Sequence, residues 1–162
     1  MFSRLLSTYC RLRPVIAHAR CDVPCGIYDP ASAQYAALWV VRFLRQIDEL
    51  EAPLDIAGQS RLARLTREKE THAEDVKHEI RVIWGDYFNP NHFDDYPDLH
   101  SLSHSIMRKA SACKQEIAVS NGEELVELLN QFAEIFWQSK GIATKRVTVP
   151  YKPGLEVVQA DI

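Results

Sequence analysis

The stretch "QSRLARLTREKETHAEDVKHEIRVIW", Gln59 to Trp84, decides the fold. Leu62, Leu65, Lys69, His72, Val76, Ile80 and Ile83 recur at alternating steps of three and four residues, which places them on one stripe of a long helix. Two members of that stripe, Lys69 and His72, are polar where a packed helix normally presents leucines. A helix with one apolar stripe must bury it against other elements, so its neighbours in the chain are the next question.

Upstream, "YDPASAQYAALWVVRFLRQIDEL" offers Asp29 as an N-cap and Pro30 for the first helical position. Tyr35, Leu38, Val41 or Arg42, and Arg45 trace one face of a helix over roughly 31–50, and Pro53 and Gly58 then break the pattern. Downstream, "GDYFNPNHFDDYPDLH" reads as a turn-rich connection whose aromatics pack against helix ends. A third helix is predicted over about 97–114 and a fourth over about 123–139, stopping before Gly141. The tail "RVTVPYKPGLEVVQADI" alternates like a strand but carries two prolines, and is read as an extended arm. The fold expected is all-α, an up-down-up-down four-helix bundle. It divides into a leader-like arm over 1–19, a bundle over 20–140 and a tail over 141–162.

The chain has 162 residues, enough for a single core, with 46% hydrophobic and 25% charged residues, values typical of a soluble globular domain. No apolar run is long enough to cross a bilayer, so no membrane is expected as a partner. The net charge of -3 hides an asymmetry: the first acidic residue is Asp22, and before it stand only Arg4, Arg11, Arg13 and Arg20. Removing residues 1–19 would take three arginines and leave -6, an acidic body that argues against nucleic acid. The acid-free, Arg- and Ser-containing segment "MFSRLLSTYCRLRPVIAHA" reads either as a targeting or processing peptide or as an arm that stays attached.

Four cysteines in a chain of this length do not make a disulfide framework. Cys10 lies in the leader, and Cys113 falls in a helical pattern as a buried, unreactive thiol. Cys21 and Cys25 form a local pair in "HARCDVPCGIYDP", bracketing Pro24 and followed by Gly26 and Tyr28. By itself C-x-x-x-C is a weak signal, since a structural zinc site wants four ligands and there is no second pair; a local disulfide or two idle thiols fit equally.

"CDVPCGIYDPASA" closely resembles the nickel-binding hook of the nickel-containing superoxide dismutases, with its pattern H-C-D-x-P-C-G-x-Y-D-P. "IWGDYFNPNHFDDYPDLH" is similar to that family's W-x-D-Y-F-x-P-x-H-F-x-x-Y-P-x-L-H, and "IFWQSK" looks like the end of its fourth helix. The resemblance spans roughly Cys21 to Lys140. It implies superoxide as substrate, a homohexamer with one nickel per chain, and a processing peptidase that cleaves between Ala19 and Arg20. It also implies the ligands: the sulfurs of Cys21 and Cys25, the amide nitrogen of Cys21 and the terminal amine of Arg20 once exposed. Such strong donors in one plane lower the barrier to oxidising nickel(II). Pro24 would preset the bend, Gly26 would let the backbone approach closely, and Tyr28 would stand over the open face of the metal to admit and order small anions.

The match departs from the family where an axial histidine belongs, because that position holds Arg20, whose guanidinium has no lone pair to give. His18 lies on the leader side and is lost on cleavage. The glutamate and arginine that support the histidine in family members fall at Ala36 and His72. One reading has His72 supply the axial imidazole across the bundle while Arg20 takes over the positive charge; the other makes His72 a core histidine bonded to Tyr28 or a backbone carbonyl. Lys69 reads as a snorkelling lysine on a bundle edge, or as a charge that draws superoxide inward. His92 and His100 match the turn motif and are expected to join helix ends by hydrogen bonds, while His78 and His104 face solvent or a subunit contact.

The function expected is superoxide dismutation. The alternatives are a homologue without that activity, serving as a metal-binding or structural oligomer, and a copper site, since copper also favours planar nitrogen and sulfur donors. The protein is expected in the cytoplasm, or in an organelle if the leader is a transit peptide. N-terminal sequencing of protein purified from its source should read Arg20, Cys21, Asp22; a chain still beginning at Met1 would leave the amine ligand unmade.

Overall fold

The computed structural model describes residues 26–162, so the leader, His18, Arg20, Cys21, Pro24 and Cys25 lie outside the described residues. The described chain is mostly helical: α1 (Ala31–Asp48), α2 (Ile56–Val82) running into a π-helical turn (Ile83–Tyr87), α3 (Pro90–Asp95), α4 (Leu99–Gln115), α5 (Val119–Ser139), and strands β1 (Thr144–Thr148) and β2 (Glu156–Ala160). Helix α1 packs against α2 and α5, and α4 packs against the same two helices, so the four long helices close a ring around the core.

Helix α1 starts one residue later than expected, with Pro30 in the N-cap position and Ala31 first in the helix, while Asp29 Oδ1 accepts the Ala31 N–H at 2.8 Å. The buried face agrees with the predicted one at Leu38 and Val41 and departs from it elsewhere. Ala33, Ala37, Val40, Val41 and Leu44 are fully buried, whereas Tyr35 is exposed, because small residues let α2 and α5 approach where a tyrosine would hold them apart. Gly122 shows how close: a Cβ there would lie 2.9 Å from Val41 Cγ2 and 3.0 Å from Leu44 Cδ1. Gly122 therefore sits inside α5 as a contact residue, and the helix begins at Val119 rather than about 123.

Helix α2 likewise starts earlier than predicted. Asp55 caps it, Oδ1 accepting the Gly58 N–H at 2.7 Å, so Gly58 belongs to the first turn. The predicted stripe is otherwise borne out in Leu65, Val76, Ile80 and Ile83, all buried, and His72, half-buried. Lys69 corrects its own expectation. It does not snorkel: it is 2% exposed, and Nζ donates to the Lys114 carbonyl at 2.9 Å and the Glu116 carbonyl at 3.1 Å. A cation thereby satisfies carbonyls at the C-terminal end of α4, where the helix dipole favours positive charge, although burial pulls its pKa below the usual lysine value. Cys113 is buried as expected, and burial pushes its thiol up to about 11.

The turn-rich connection is more regular than predicted. Asn89 and His92 form a capping box that starts α3, with Asn89 N–H donating to His92 Nδ1 at 3.2 Å. The tail is a hairpin rather than a single extended arm: β1 and β2 pair antiparallel, Thr144 opposite Ala160 and Thr148 opposite Glu156. The fold is thus helical with a small β-element. Its prolines, Pro150 and Pro153, fall in the connecting turn, where no ladder bond is lost. Val149, Val157 and Val158 are buried, and Arg146 reaches Glu127 and Glu134 on α5.

One buried amide fastens the hairpin. Asn130 on α5, 1% exposed, accepts from Gln34 Nε2 of α1 at 3.0 Å and from the Val158 N–H at 3.1 Å, and donates to the Glu156 carbonyl at 3.0 Å. Asn130→Leu would leave the buried Gln34 amide and Val158 N–H unpaired, and should cost roughly 1–3 kcal/mol in urea unfolding. It should also expose the hairpin to trypsin at Lys145 and Arg146; unchanged stability and unchanged cleavage would show that the amide is not the fastener.

Candidate functional site

Gly26, the first described residue, takes φ +70°, a left-handed conformation that glycine adopts without strain. A Cβ there would meet no described atom within 4 Å, and the close approach expected of it concerns Cys21 and Cys25, outside the described residues. Two residues on, the half-buried Tyr28 rests with its ring centroid 5.7 Å from that of Tyr87, tilted by 52°.

Tyr87 belongs to the π-helical turn that ends α2. A π-turn admits an extra residue per turn, which resets the direction of the side chains that follow. Tyr87 is fixed on several sides: it stacks on His92 at 5.4 Å, packs against Phe136 at 4.8 Å and Phe88 at 5.0 Å, and its hydroxyl bonds Ser139 Oγ at 2.8 Å. Lys140 Nζ stands 4.8 Å over the Tyr87 ring and 5.0 Å over Phe136, a cation on the negative faces of both. Two separated sequence motifs, the D-Y-F turn and the end of α5, therefore meet beneath the tyrosine that follows the cysteine loop. Nearby, Trp84 Nε1 donates to His100 Nδ1 at 3.1 Å and Phe93 stacks on His100 at 4.0 Å, so His92 and His100 both tie helix ends as expected.

His72 lies elsewhere on the surface of α2. Its ring stacks against Trp39 and Phe43 of α1, both at 5.8 Å, and Nδ1 is 3.3 Å from Asp75 Oδ2. Its polar partner is thus a carboxylate, neither Tyr28 nor a backbone carbonyl. Ala36, Trp39 and Phe43 follow at steps of three and four, so Ala36 shares the strip of α1 that faces His72. His104 is exposed and His78 half-buried. Among the described residues, no three His, Cys, Asp or Glu side chains converge as a metal site. None of the described helices is long and apolar enough to cross a membrane.

A model of the family "Nickel-containing superoxide dismutase" matches residues 15–140. The chain belongs to the nickel-containing superoxide dismutase family. It is 37% identical over 141 residues to the "Superoxide dismutase [Ni]" of Streptomyces seoulensis, covering 86% of this chain and 98% of that one. Against the protein of the same description from Streptomyces coelicolor it is 36% identical over 140 residues, with the same coverage. A native nickel superoxide dismutase solved at 1.30 Å superposes with TM-score 0.68 and 36% identity over 74% of this chain and 98% of that one.

Sequence reading singled out Tyr28 but not Tyr87, Ser139 or Lys140 as its support. The signal was present in the motifs, yet only the fold shows that they converge. Tyr87→Phe should cost about 1 kcal/mol by removing the bond to Ser139 and leave the Tyr28 ring in place. Tyr87→Ala should cost about 3 kcal/mol or more and shift the Tyr28 ring resonances in NMR spectra; resonances unchanged in the alanine variant would show that Tyr28 does not depend on this platform.

Proposed function

We propose that the chain is a nickel-dependent superoxide dismutase: two superoxide ions and two protons give one dioxygen and one hydrogen peroxide. The observation that carries the reading is the seat of Tyr28 on Tyr87, which joins the hook sequence to the family's second motif in space. The four long helices form a four-helix bundle, and the chains assemble as a homohexamer, on the strength of the family likeness.

The donor set suits the metal in its plane. Cys21 and Cys25 would hold nickel through their thiolates, with the Cys21 amide nitrogen and, after cleavage behind Ala19, the Arg20 amine completing the square. Nickel so bound supplies a one-electron couple that accepts an electron from one superoxide and returns it to the next. Arg20 does not fit the axial place, since its guanidinium stays protonated and offers no lone pair.

His72 would supply the missing imidazole donor in our reading. Asp75 engages Nδ1, which fixes the ring and leaves Nε2 as the free donor, the usual arrangement of a carboxylate-supported metal histidine. Trp39 and Phe43 hold the plane of the ring. This reading requires that the loop holding Cys21 and Cys25 fold back along α1 toward Ala36 and His72. Tyr28 orders the incoming anion with its phenol, and the Arg20 side chain adds attraction for the negative substrate.

The test uses the chain beginning at Arg20, loaded with nickel. Superoxide decay should fall more than about 100-fold in Cys21→Ser. In the oxidised protein the axial nitrogen coupling seen by electron paramagnetic resonance should vanish in His72→Ala. Activity surviving the serine change would sink the hook mechanism; an axial nitrogen signal intact without His72 would assign that ligand elsewhere; a metal-bound, inactive wild type would favour a homologue that has lost dismutation.

A further inference from the structure

The C-terminal hairpin, beyond the residues matched by the family, creates a cavity that the helices alone do not enclose. Tyr35, Leu38, Trp39 and Arg42 of α1 form its floor, and Tyr151 and Lys152 of the β1–β2 turn form its roof, around about 390 Å³. Three aromatic rings stand partly open to it: Tyr35 is 46%, Trp39 51% and Tyr151 49% exposed.

The roof is held in place rather than draped. Arg45 Nη1 donates to the Pro153 carbonyl at 2.9 Å while Nη2 bonds Glu123 at 2.7 Å, so α1 and α5 grip the turn together. Within it, Gly154 N–H donates to the Tyr151 carbonyl at 2.8 Å and Val149 N–H to the Leu155 carbonyl at 3.0 Å. The floor is equally set, because Trp39 is backed by Phe43 and His72. A preformed cavity loses little entropy when a ligand enters.

Its electrostatics choose the ligand. Arg42 and Lys152 both line the cavity, and among the described residues neither has an acidic partner, although most other basic side chains on the helices and hairpin are paired. Flat apolar walls with two unpaired cations complement a flat, apolar anion. We propose that this cavity binds a small planar aromatic carboxylate, its ring between Trp39 and Tyr151 and its carboxylate held by Arg42 and Lys152. Such a ligand would brace the hairpin against α1.

The probe is 2-naphthoate added to the full chain, read through Trp39 fluorescence, with uncharged 2-naphthamide as control. Naphthoate should quench saturably and bind about tenfold more tightly than the amide, a difference near 1.4 kcal/mol. The quenching should be lost in Trp39→Phe, which leaves Trp84 and Trp137 in place. Arg42→Gln with Lys152→Gln should weaken naphthoate about tenfold and leave the amide unchanged. Equal affinity for acid and amide, or naphthoate binding untouched by the double variant, would overturn the proposal. So would the absence of saturable quenching in protein whose helical circular dichroism is intact. Neither the metal nor dismutase activity enters these readings.

Discussion

A single buried amide, that of Asn130, connects what would otherwise be two structures. Its carbonyl oxygen takes hydrogens from Gln34 on α1 and Val158 on β2, and its nitrogen donates to Glu156, so a helix pair and a hairpin share one polar centre inside an apolar core. Gln34 and Val158 are buried and would be costly to strand, which makes the arrangement specific as well as stabilising. The hairpin's register against α5 follows from it. So does the position of the β-turn above α1.

A second buried polar group does comparable work at another end of the molecule. Lys69 occupies a stripe position suited to leucine, and its ammonium answers carbonyls left open where α4 finishes. The cost of burying the charge shows in its lowered pKa; Glu70 and the helix end offset part of that cost. Around these two polar points the core is otherwise alanine, valine, leucine, isoleucine, phenylalanine and Cys113, with Gln34 and Ser103 the other buried polar residues.

Much of this was legible in the sequence, and the exceptions share a cause. The stripe of α2, the start of α1 just after Asp29 and the tying roles of His92 and His100 are local patterns, and local patterns survive folding. What the sequence concealed depends on distant partners. Gly122 looks like a helix breaker until Val41 is seen pressing on it, and Gly58 looks like one until Asp55 caps its amide. Lys69 reads as a surface cation because nothing near it in sequence supplies the carbonyls it meets 45 and 47 residues away. The tail hides its hairpin behind two prolines that sit in the turn. At the candidate site, the cysteine motif pointed to a chemistry only through its resemblance to a family, while the platform under Tyr28 required two motifs to meet.

The end of the hairpin has a practical meaning for anyone handling the protein. Asp29 and Ala31, at the root of the cysteine loop, line the same hollow as Gln159, Ala160 and Ile162, and Ile162 itself is fully exposed. The two ends of the described chain are therefore neighbours. An affinity tag or fused partner appended after Ile162 would hang beside the start of α1. A label placed there would crowd the described residues next to the cysteine motif, and the far ends of the helices offer a quieter place for it.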